Sequence, residues 1–150
     1  MASKKFTLFG FQHMLAAIIA ISIIEASLAG FGIIPPVLSY SPANLFFAFL
    51  RLAIIVYAGM EYAASGVARA AMKGGALFLA SAITLCIAVF AAKGLALHPI
   101  LGVSAQGDAL LALFAIILVT NALAGAAVAA LAAWLSQKKF FQKPRSSKKR

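Results

Sequence analysis

Glu25 and Arg51 are charged residues set deep within long apolar stretches of the chain. A charge at the centre of a membrane helix costs roughly 2.5–3.5 kcal/mol on insertion scales, so each needs a reason to be there. Counting from the ends of their apolar segments, both fall eight or nine residues in, roughly 12–14 Å at 1.5 Å per residue. Helices joined by a short connection then carry them at matching depth, and an ion pair neutralises both. Such a pair can act as a clamp that sets how the two helices register, or as a station on a proton or ion path. His13 and Glu61 form a second candidate pair, close to a membrane boundary by the same counting. The other histidine, His98, lies in a connection, so no two facing histidines are available for a haem. Cys86 is the single cysteine, which leaves no intrachain disulfide, no CxxC and no Cys/His metal cluster. No metal and no cofactor is expected.

The elements that must carry these residues follow from composition. Hydrophobic residues make up 64% of the 150 positions and charged residues 11%, against about half and about a quarter in soluble domains. A chain this apolar cannot cover itself with polar surface, so its solvent is lipid. Four apolar segments approach the roughly 20 residues that a helix needs to cross the hydrocarbon core: residues 11–34, 44–64, 76–97 and 109–135. Backbone groups in lipid must bond within their own segment, and no barrel alternation is visible, so these are helices. The expected fold is all-α: a polytopic bundle of four transmembrane helices over residues 1–135, with short loops, followed by a basic tail over 136–150. Pro35-Pro36 should stop the first helix. Ser41-Pro42 should cap the second. Gly74-Gly75 should separate the second from the third, and Asp108 should sit at the start of the fourth.

Charge supplies the orientation. The chain has 13 Lys and Arg against 3 Asp and Glu. Lys4, Lys5, Arg69, Lys73 and the tail cations all fall on one side of a four-span arrangement, and residues 35–43 and 98–108 carry no Lys or Arg. The positive-inside rule then puts both termini in the cytoplasm. Lys4-Lys5 followed by an apolar run and Ser27-Leu28-Ala29 has the three regions of a secretory signal. Glu25 and the continuing apolarity to Ile34 argue against cleavage there. The tail cations Lys138, Lys139, Lys143, Arg145, Lys148, Lys149 and Arg150 suit anionic lipid headgroups, at roughly 1 kcal/mol per nearby cation. That reading is preferred to nucleic acid or ribosome binding, which a basic tail could also support.

Small residues form a further pattern. Ala80, Thr84, Ala88 and Ala92 recur every four residues in the third span; Ala122, Gly125, Ala126 and Ala130 cluster in the fourth. Such stripes let helix backbones approach closely where lipid is as apolar as leucine. They can serve the bundle itself or another chain. A four-helix chain with a glutamate in its first span is similar, in that residue and the helix count, to the small multidrug resistance transporters. The resemblance implies that Glu25 would exchange protons for cationic substrates. The sequence departs from that pattern at Arg51, which competes for Glu25, and in its sole tryptophan, Trp134, at the end of the fourth span. With short loops and three acidic residues and two histidines in all, no enzyme is expected. The leading expectation is a non-catalytic membrane subunit that packs in a larger complex or against its own copies. The alternative is an oligomeric ion- or proton-coupled transporter or channel that uses Glu25 and Arg51.

Overall fold

A computed structural model of the chain describes residues 10–95, 97–102 and 107–141, with side chains as far as Lys138. It is a bundle of four helices, each long and apolar enough to cross a membrane: α1 (Phe11–Gly30), α2 (Pro42–Tyr62), α3 (Val67–Gly94) and α4 (Asp108–Phe141). A 3-10 turn, Ala63–Ser65, joins α2 to α3. The connection after α1, residues 31–41, and residues 97–102 after α3 meet at one end of the bundle, the loop end. There Val37 N–H donates to Ile100 O at 2.7 Å, and His98 N–H to Gly30 O at 3.0 Å. The opposite end, the tail end, holds the start of α1, the tight α2–α3 turn and the end of α4, where Gln137 Nε2 donates to Ala63 O at 2.7 Å.

Helix boundaries follow from local chemistry, and two differ from expectation. The first helix stops at Gly30, ahead of the two prolines. Gly32 turns the chain there with φ +71°, and the His98 ring lies where a side chain at 32 would stand. The Gly74-Gly75 pair lies inside α3, which begins seven residues before Gly74, at Val67. The break falls instead at Gly66, whose φ of +101° strongly favours glycine. Ser41 caps α2, its Oγ accepting from Asn44 N–H at 3.2 Å with Pro42 in the first turn. Asn44 Nδ2 also donates to Pro36 O at 2.7 Å and to Ser39 O at 2.9 Å, which fastens the first connection to α2. Asp108 opens α4 as its first residue, where its charge complements the helix dipole.

Within the bundle α3 runs against the other three helices, most extensively against α4. One apolar cluster packs toward the loop end around Ala26, Val89, Ile100 and Phe114. Another packs toward the tail end around Met14, Ile18, Ile55, Leu77 and Ala129. Between these clusters each helix carries at least one polar residue at mid-bundle depth. Ser22 and Glu25 lie there on α1, Arg51 on α2, Ser81 on α3 and Asn121 on α4.

Candidate functional site, a polar layer across the bundle

This layer is built from the buried face of α1, where Ile18, Ser22, Glu25 and Ala29 follow one another at helical spacing. Glu25 is completely buried, and the Arg51 side chain keeps 12% of its surface exposed. Arg51 Nη1 lies 2.7 Å from Glu25 Oε2. The two opposite charges thus meet at hydrogen-bond separation in the interior of the bundle. One turn along α1, Ser22 Oγ donates to Ile18 O at 2.8 Å and lies 2.7 Å from Ser81 Oγ on α3. With its own hydrogen spent on Ile18, Ser22 accepts the one from Ser81. The layer therefore ties α1 to α2 by charge and α1 to α3 by hydroxyls.

Sequence reasoning passed over Ser22 and Ser81. The usable signal was Ser22 three residues before Glu25, on the same helical face; Ser81 carries no such mark. It also passed over Gly59 and Ala129, and it read Gly74 as a break between spans rather than as a packing position. A Cβ on Gly74 would meet Ala129 Cβ and would lie 2.5 Å from Gly125 O, and one on Gly59 would lie 2.5 Å from Ala129 O. These glycines let the α4 backbone touch both α2 and α3.

Of the small residues singled out in the fourth span, Gly125 faces Gly74, while Ala122 and Ala126 lie against Gly75. Ala130 is half-buried. The stripe in the third span is turned toward α1. Ala92 is buried with Ala26 and Ala29, Ala88 packs at the edge of that cluster, and Thr84 Oγ1 donates back to Ala80 O at 2.8 Å. Thr84, Ala88 and Ala92 line a groove between α1 and α3 of about 510 Å³, walled by Ile23 and Ile87.

His13 lies exposed in the first turn of α1 and Glu61 half-buried in the last turns of α2. Near them Lys73 Nζ stands 4.1 Å from the centroid of the Phe11 ring and 5.9 Å from that of Tyr62. Of the tail cations, Lys138 places its Nζ 3.7 Å over the Trp134 ring. The Lys139 side chain and Lys143, Arg145, Lys148, Lys149 and Arg150 lie outside the described residues.

Beside the ion pair a cleft of about 330 Å³ opens between α2 and α4, with Arg51, Thr120 and Asn121 on its sides and Phe78, Leu85 and Cys86 of α3 beneath. Chemically, the layer offers a neutralised charge pair in the interior and hydrogen-bond donors at the edge of a cavity. No known protein family, curated protein or solved structure matches the chain.

Proposed function

We propose that the chain is a small, non-catalytic integral membrane subunit that packs through α4 against other chains, either its own copies or the members of a larger complex. One observation carries this reading. Thr120, Ala124 and Ala127 form an exposed stripe on α4, separate from the Gly125 and Ala129 face that packs inside the bundle. Thr120 and Ala127 lie within about 60° of Ala124 around a helix of 3.6 residues per turn. A stripe of small residues with one hydroxyl is the surface that lets a second helix approach closely in lipid. Both termini are read as cytoplasmic. The basic tail is read as resting on anionic headgroups, a reading supported by Lys138 stacked on Trp134 at its root. The transporter reading draws support from the cleft beside Arg51, but Glu25, the group that would exchange protons, is sealed behind Arg51 with no exposed surface.

Native mass in mild detergent tests the proposal. Wild-type protein should run above its single-chain 15.6 kDa, as an oligomer or with other membrane proteins. Ala124→Phe should return it to the single-chain mass with its melting temperature unchanged. A wild-type protein that is monomeric and alone would sink this function.

A further inference from the structure

The cleft beside Arg51 is the cavity whose chemistry the subunit reading leaves unused. It exists because α2 and α4 touch only at one end. Toward the tail end Gly59 meets Ala129 and Ala132 directly; toward the loop end the helices part, leaving Arg51 on one side and Asn121 on the other. Its rim includes Ala48 of α2, exposed on the lipid-facing surface of the bundle and apart from the α4 stripe. Val37, Leu38 and Leu101 of the connections line its loop end. A molecule entering at the rim comes from the bilayer, so it must be soluble there.

The polar groups define what its head must offer. Arg51 brings one guanidinium nitrogen to Glu25, and no other described residue accepts from the rest of its N–H fork, which has donors only. Asn121 Nδ2 spends one hydrogen on Ile117 O at 2.8 Å and has a second to give. The Thr120 hydroxyl hydrogen is committed to Ile116 O at 2.7 Å. Donors thus face the cavity in excess, and the complementary ligand group is an acceptor. Net charge narrows the choice. Glu25 and Arg51 already neutralise each other, so an anionic head would leave one uncompensated negative charge in a low-dielectric setting. An uncharged acceptor carries no such penalty. Phe78, Leu85 and Ile117 supply apolar walls for the remainder of a head, and about 330 Å³ falls at the small end of the roughly 300–1,000 Å³ found for small-molecule sites.

We infer that this cleft binds the uncharged, carbonyl-bearing head of a lipid-soluble molecule, its oxygen accepting from Arg51 and Asn121. Cys86, half-buried in the floor, provides a built-in reporter as the single thiol of the chain. The purified full chain in liposomes is labelled with N-phenylmaleimide, with and without a decyl benzoquinone fully substituted on its ring, so that no ring position is left to add a thiol. At about four times its Kd the quinone should slow Cys86 labelling about fivefold, because only the empty cleft reacts. Ala48→Phe, which fills the rim, and Asn121→Leu, which removes a donor but spares the ion pair, should each abolish protection at unchanged melting temperature. Absence of protection in the wild type overturns the inference. Equal protection by decane would reduce the cleft to an apolar groove, and stronger protection by decanoate would make it an anion site; either result also overturns it. Should Cys86 resist labelling altogether, the decision passes to melting temperature. The quinone must then raise it in the wild type and not in Ala48→Phe, and a rise in neither overturns the inference.

Discussion

At the residue scale the molecule turns on Glu25 and Arg51. A buried pair is weak evidence of net stabilisation, because desolvating two charges offsets most of their attraction; losing one partner is what strands a charge. Glu25→Gln or Arg51→Leu alone should therefore destabilise the bundle, by about 3–5 kcal/mol where the remaining charge stays buried. The double change should recover much of that loss. Thermal unfolding in detergent measures all three variants, and simple addition of the two losses would show that the residues do not interact. The pairing was readable by counting depth, although the count used helix ends at 34 and 44. With the observed ends Glu25 is five residues before the close of α1 and Arg51 nine after the opening of α2. That difference of four residues, about 6 Å along a helix, is within the reach of an arginine side chain. The serine contact was not readable, because a hydroxyl in an apolar run costs too little to announce a partner.

At the scale of the elements, Gly74-Gly75 explains where sequence reading and structure part. Adjacent glycines mark a loop in water, where an opened backbone bonds to solvent. In hydrocarbon the backbone has no such partner, so the helix continues through them. The missing side chains then serve close approach, with Gly125 and Ala129 of α4 seated against them. The same glycines that suggest a break thus make the tightest interface in the bundle. Gly74→Ala should cost about 1–3 kcal/mol, the usual range for an overpacked site, because its Cβ would land on Ala129 Cβ. Gly94→Ala is the matched control: nothing lies within 4 Å of its added Cβ, so unfolding midpoints should stay the same or rise slightly. Equal losses at the two positions would remove close packing as the reason for Gly74.

For the whole molecule, composition and segment length made the four helices legible, since both report on the solvent rather than on side-chain geometry. The cleft was not legible, because it depends on α2 and α4 meeting at one end and parting at the other, which no single helix encodes. Orientation rests on charge. Reporters fused after Tyr40 or Gln106 should read as external, and those after Met72 or at the C-terminus as cytoplasmic. The tail, so placed, should hold a 137–150 peptide on acidic vesicles and release it as salt rises. An external C-terminus would undo both the orientation and the lipid-surface role of the tail.

The helices also differ in length. With 20 residues α1 spans about 30 Å, which matches a typical hydrocarbon core, whereas the 34 residues of α4 span about 51 Å. A helix with excess length accommodates bilayers of different thickness by tilting or by extending beyond the hydrocarbon. One with none to spare does not, and it must thin the membrane around itself. The bundle is therefore tolerant of thin membranes and intolerant of thick ones, with α1 setting the limit. Hydrophobic mismatch alone would bias where in a cell's membranes the protein settles.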